Sequence, residues 1–188
     1  MLNAGRLSDA TLVSLLAYGG LRPGEALALR WTHITDRSII VEQSVADGQL
    51  KSTKTGNARR VVLFDALRDD LDQLHATQAP IDRDQLLFDT GMGPWGAARW
   101  RNWRRRRFQP AAVAGGAPTA RPYDLRHSFV SLLIHEGMSV VEVAAQAGHQ
   151  PGVCLSTYAH LFAEGATLDR GAQRSINLWI SPASVDTG

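Results

Sequence analysis

Lysine is almost absent from this 188-residue chain: Lys51 and Lys54 are the only two among 20 basic residues, and the others are arginines. Cysteine occurs once, at Cys154, which excludes an internal disulfide and a multi-cysteine zinc site and leaves a small apolar thiol to pack. No apolar run reaches the ~18 residues of a membrane span. The opening residues M-L-N-A-G-R-L-S-D lack the basic-then-apolar pattern of a secretory leader. These absences lead us to expect a cytoplasmic protein with no membrane partner. Carboxylates and histidines nowhere recur at metal-ligand spacing, so no metal and no other cofactor is expected. A net charge of +2 names no partner by itself. The length suits one domain, or one domain with a tail, and a 44% hydrophobic content is ordinary for a globular protein.

The distribution of charge says more than its sum. Arg99, Arg101, Arg104, Arg105, Arg106 and Arg107 crowd into one segment with Trp95, Trp100, Trp103 and Phe108. Adjacent like charges are costly without an anionic partner, and interleaved aromatics add stacking surface, so the segment reads as a nucleic-acid footprint. The same pattern suits a solvated helix whose tryptophans face the core.

Taken in order, Ser8 and Asp9 open a helix with Leu12, Leu15 and Leu16 on one face, closing at Gly19-Gly20. Pro23 and Glu25 suit the first turn of the next helix, which puts Arg22 at its mouth, where backbone N–H groups also meet an anion. An Arg22–Glu25 surface ion pair is the plainer alternative. Ser38 to Gln43 reads as a strand; Asp47-Gly48 marks a turn. Leu50–Thr53 and Arg59–Leu63 flank Lys54-Thr55-Gly56-Asn57 as the arms of a hairpin, with Lys54 near its tip. Asp65 starts a helix with Leu67, Leu71 and Leu74 at helical spacing. A further helix carries the Arg/Trp segment to Arg107, and Ala111 to Pro118 reads as a loop. The expected class is α+β, mainly helical, with one small antiparallel β-sheet.

The stretch from Arg121 to Leu161 holds the chemistry. Asp124 caps a helix whose stripe is Leu125, Phe129, Leu132 and Leu133, and Gly137 stops it. Ser139 caps a second, with Val140, Val143, Ala144 and Ala147 in its stripe, and Gly148 ends it. His149 follows that end, and Tyr158 comes nine residues later. Arginine is a forked cation, histidine a polar donor and tyrosine a nucleophile. Two packed helices holding Arg126, His149 and Tyr158 make a site able to grip a phosphate and attack it.

Three blocks together resemble the catalytic domain of tyrosine recombinases, the phage integrase family: G-L-R-P-G-E-A-L-A-L-R-W, then S-T-K-T-G-N-A-R-R-V-V-L, then Y-D-L-R-H-S-F with A-G-H and T-Y-A-H-L. They come in the family's order and span most of the chain. The resemblance implies the tyrosine-recombinase catalytic fold and a site-specific DNA recombinase acting on double-stranded DNA, as a homotetramer on it. By that resemblance Arg22 and Arg126 clamp the non-bridging phosphate oxygens, and Tyr158 forms a 3′-phosphotyrosyl bond. Lys54 protonates the departing 5′-oxygen, His149 hydrogen-bonds the phosphate or orients the nucleophile, and Glu25 orients its neighbours. Arginines supply the charge, so neither metal nor ATP is implied.

The chain departs from the family at Tyr123, where a histidine is usual. A tyrosine hydroxyl still donates to phosphate, but with a pKa near ~10 it is a poor proton shuttle. His127 is the evident substitute, yet it lies a third of a helical turn past Arg126 and reads as structural. We expect a catalytic domain over 1–163, and a C-terminal segment over 164–188 that docks on a neighbouring subunit through Ile176, Trp179 and Ile180 or packs at home, before a disordered tail. The family's N-terminal core-binding domain is expected to be absent. Two alternatives stand beside a recombinase: a DNA-binding remnant without recombination activity, and a type IB topoisomerase.

Overall fold

The computed structural model describes residues 4–52, 58–78, 82–89, 91 and 93–165. Lys54 and the segment 166–188, with its Ile176, Trp179 and Ile180 face, lie outside the described residues. The first helix, α1 (Ala4–Ala17), starts four residues before the expected Ser8 and buries Leu12, Leu15 and Leu16 completely. It packs on α3 (Asp65–Thr77), whose buried stripe is Leu67, Leu71 and Leu74 as expected. Between them come the short α2 (Pro23–Leu27) and a 3-10 turn at Trp31–His33.

The strands are β1 (Ser38–Val41), β2 (Gln43–Ala46), β3 (Gln49–Ser52) and β4 (Arg59–Val62). They form two antiparallel ribbons, not one sheet: β1 pairs with β4, and β2 with β3. The expected hairpin between the strands on either side of Lys54 is therefore corrected. The reason lies in Asp47-Gly48, where both residues have positive φ (52° and 75°). A two-residue turn of that kind joins its immediate neighbours, so β3 folds back on β2 and β4 is left for β1.

The Arg/Trp segment runs on past its expected end. Helix α4 (Ala97–Trp103) continues through a π-helical turn, Arg104–Phe108, into α5 (Gln109–Ala114), so Ala111 to Ala114 are helical and not loop. Two features account for the wide turn. Pro110 has no N–H, and in a regular helix its ring presses on the carbonyl four residues back. Trp103 and Phe108, five residues apart, would face different sides of an α-helix. The π turn brings their rings to 5.8 Å, both buried.

Helices α6 (Pro122–His135), α7 (Val140–Ala147) and α8 (Pro151–Gly165) form a second apolar cluster beside the one built by α1–α4 and the strands. Asp124 caps α6 from its third position, its carboxylate accepting from the Arg121 N–H at 2.8 Å. The α6 stripe differs from the expected one: Leu132 is 53% exposed, and Val130 and Ile134 are buried with Phe129 and Leu133. Arg126 turns into the protein and rotates the buried face toward it. Ser139 caps α7 as expected, in a reciprocal pair with Glu142. Gly20 joins the clusters. Its φ is +59°, and a Cβ there would sit 2.2 Å from the Phe129 ring, so only glycine lets the α1–α2 link lie on α6.

Candidate active site

The site lies on the seam between the two clusters and begins with a helix end. The last two carbonyls of α7 and that of its cap each hold a different arginine. Gln146 O accepts from Arg59 Nε at 3.3 Å, Ala147 O from Arg126 Nη2, and Gly148 O from Arg22 Nη2 at 3.0 Å. Those carbonyls have no partner within a helix and carry its negative end, so guanidiniums suit them. Gly148 makes the exit possible: its φ is +65°, and a Cβ would lie 2.8 Å from the Arg59 guanidinium.

Arg22 caps α2 from outside, with Pro23 in the first turn. Glu25 reaches back to it twice, accepting from its backbone N–H at 2.9 Å and from Nη1 at 2.7 Å. The ion pair foreseen as a surface contact exists, but Glu25 is only 3% exposed. A second, forked partner reaches it from β4: Arg59 donates to both carboxylate oxygens, at 2.9 and 2.7 Å. Burial pushes the Glu25 carboxyl upward, but the Arg59 hydrogen bond and charge, with the Arg22 N–H and guanidinium, outweigh it and hold the pKa at about 2.

Arg126 is 1% exposed and satisfied almost wholly by backbone: Nη1 donates to Gly20 O, and Nη2 to Ala147 O. Nη2 also lies 2.9 Å from His149 Nε2, which can only accept, because arginine has no lone pair to offer. Burial, then the charge of Arg22, draw the Arg126 pKa down to about 10. Burial, followed by the charges of Arg126, Arg22 and Arg59, presses His149 down to about 4. His149 is thus neutral at physiological pH with its proton on Nδ1, a buried atom without a partner among the described residues. Arg22, Glu25, Lys51, Arg59, Gly148 and His149 line one open cavity of about 760 Å³.

Tyr158 sits in α8 where the helix leaves helical geometry, at φ −119° and ψ 20°. It is 4% exposed, and its hydroxyl lies 2.6 Å from His127 Nδ1. Burial raises its pKa, with Arg126 opposing. His127, read from the sequence as structural, faces Tyr158 across the α6–α8 contact, one helical position past the inward-turned Arg126. Tyr123 stands one turn before it, 39% exposed, its ring 5.1 Å from the His127 ring.

Of the expected residues, Arg22, Glu25, Arg126 and His149 meet at the end of α7, while Tyr158 joins through His127. Two neighbours stand outside the expected site: Arg59 was not foreseen, and His127 was weighed and set aside as structural. Arg59 follows from a physical demand: a buried carboxylate facing one half-exposed arginine needs a second partner. The signal that placed His127 at the site is its position as the i+4 partner of Tyr123 on α6, the helix that packs against that of Tyr158. The arginine cluster sits apart. Arg101, Arg104, Arg105, Arg106 and Arg107 are exposed, and Arg99 lies 4.3 Å over the Trp95 ring. Trp95 and Trp103 are buried, with indole N–H groups on Phe88 O and Asp9 Oδ1. Tryptophans thus face the core while arginines face solvent. Among the described residues no helix is long and apolar enough to cross a membrane.

Known proteins resemble this chain in sequence and in fold. The profile of the phage integrase family matches residues 2–164. A shufflon-specific DNA recombinase from Escherichia coli is 31% identical over 142 residues, covering 75% of this chain and 32% of its own. The chain thus spans about a third of that relative's length. Among solved structures, the Tn1549 transposon integrase in complex with a circular intermediate DNA matches with a TM-score of 0.65 at 19% identity, over 92% of this chain and 58% of that one. The XerH recombinase bound to a palindromic difH substrate gives 0.65 at 17%, over 96% and 48%. The catalytic domain of bacteriophage HP1 integrase gives 0.55 at 18%, over 95% and 84%. At these identities the likeness is one of fold.

Proposed function

The chain belongs to the phage integrase family, and from that premise we propose that it cleaves and rejoins double-stranded DNA at specific sites, with Tyr158 as nucleophile. One observation carries the reading: Arg22 and Arg126 stand on consecutive carbonyls beside a neutral His149. Two fixed guanidiniums beside a neutral imidazole make a preorganised cationic cradle for a phosphodiester, whose non-bridging oxygens gain charge as phosphorus is attacked. Tyr158 Oη bonds to phosphorus, the 5′-oxygen leaves with a proton from Lys54, and a 3′-phosphotyrosyl bond keeps the energy of the broken one. Rejoining reverses these steps. Glu25 and Arg59 position Arg22, and Tyr123 donates a hydrogen bond to the phosphate. Arg99, Arg101 and Arg104–Arg107 bind the flanking backbone.

In this reading residues 1–163 are the catalytic unit and 164–188 a segment for contact between subunits of a tetramer on DNA. The setting is the cytoplasm, where the DNA lies. The experiment is covalent trapping. Nicked suicide duplexes built from DNA flanking the gene should yield a protein–DNA adduct that resists denaturation and disappears in Tyr158→Phe, while binding persists. Binding without any adduct would instead favour the remnant reading, and an adduct in Tyr158→Phe would refute the assignment.

A further inference from the structure

Attack by Tyr158 requires somewhere for its proton to go. Tyr158 is 4% exposed, and burial disfavours the phenolate. Three groups stand near enough to be considered. His149 has given its acceptor nitrogen to Arg126, and the cations around it oppose a second proton. Tyr123 occupies the family's usual histidine position, and a phenol is a weak base there. Among the described residues His127 is the one hydrogen-bonded to the reacting oxygen, through Nδ1 at 2.6 Å, a distance suited to proton transfer.

We propose that His127 is the general base for Tyr158, taking over the work that Tyr123 cannot do; the proposal rests on Tyr158 being the nucleophile. The balance is closed. The Tyr158 O–H bond breaks, its proton passes to Nδ1, and the phenolate oxygen bonds to phosphorus as the bond to the 5′-oxygen breaks. On rejoining, imidazolium Nδ1–H returns the same proton to the departing Tyr158 oxygen. This requires His127 to rest with Nε2–H and an unprotonated Nδ1. The groups that face the imidazole are Tyr158 from α8, Tyr123 and Asp124 from α6, and His149 between α7 and α8. Tyr123 packs its ring on His127 and so positions the base.

The decisive comparison uses the full chain with His127→Asn, which keeps an acceptor near the Nδ1 position but cannot hold a proton, and His127→Phe, which keeps only the packing. Cleavage is followed on suicide duplexes with a 5′-bridging sulfur, a leaving group that needs no acid, so that a defect reports the nucleophile's side. Wild type should form the Tyr158 adduct, with a rate that falls toward acid. His127→Asn should be slower by about 10²-fold or more and lose that acid limb, with DNA affinity unchanged. His127→Phe should be at least as slow. Nitrogen-15 resonances of the imidazole, read without DNA, should show Nδ1 unprotonated at neutral pH and perturbed in Tyr158→Phe. Equal rates for wild type and His127→Asn, an unaltered pH profile, or a proton resident on Nδ1 would each overturn the proposal while leaving the nucleophile intact. An adduct surviving Tyr158→Phe would overturn the nucleophile itself.

Discussion

Replacing Glu25 by glutamine should cost most of the stability that the buried carboxylate contributes. The pKa falls from 4.5 to about 2 on folding. About 2.5 units, at about 1.36 kcal/mol each, amount to ~3 kcal/mol at neutral pH. Breaking one side of a buried ion pair points to the same order, about 3–5 kcal/mol. The sign follows from a depressed carboxyl pKa: the contribution is complete above 4.5 and disappears as pH falls toward 2. Linkage leaves about 1.4 kcal/mol of it at pH ~3. Urea unfolding of wild type and Glu25→Gln at about pH 7 and pH 3 therefore gives a gap that narrows by about half. A gap below ~1 kcal/mol at neutral pH, or one independent of pH, would refute the argument that Arg22 and Arg59 hold a buried anion.

Gly148→Ala combines a left-handed backbone with a Cβ on the Arg59 guanidinium, and should lower stability by about 1–3 kcal/mol, read as a fall in Tm of several degrees. Tyr123→His should retain or raise cleavage and Tyr123→Phe should lower it; equal rates for Tyr and Phe would show that the residue only packs. Replacing Arg104 and Arg105 by glutamine should weaken binding equally on all duplexes. In titrations at several ionic strengths, the slope of log affinity against log salt should become shallower by about 0.9 for each phosphate no longer neutralised.

Helices were legible where one face decides them: α3 from Leu67, Leu71 and Leu74, α7 from its Ser139 cap and its Gly148 exit. Strand partners were not, because periodicity marks a strand and says nothing of its neighbour; the positive φ of Asp47 and Gly48 settled that. The π turn escaped because a helical pattern assumes 3.6 residues per turn, and Trp103 with Phe108 breaks that assumption. At the site, Arg22, Arg126, His149 and Tyr158 announced themselves through the three blocks. Arg59 did not, and His127 was weighed but read as structural, since each touches the site through a partner more than 30 residues away in the chain. Leu132 misled for a related reason: the stripe was drawn through apolar residues, while the inward face of α6 is set by a buried arginine.

The hydrogen bonds at the end of α7 also have an order in time. Arg22 waits for Gly148, a separation of 126 residues, and Gly20 waits for Arg126 across 106. Contacts so distant in sequence close late in folding. During synthesis Arg22, Glu25 and Arg59 emerge first and can pair among themselves, but until the chain has been made through Gly148 no carbonyl turns Arg22 toward the place of Arg126. Tyr158 is made later still, so the arginines of the site and the tyrosine come together only when nearly the whole catalytic stretch exists. Under the proposed reaction, that order leaves the unfinished chain without the means to cut DNA.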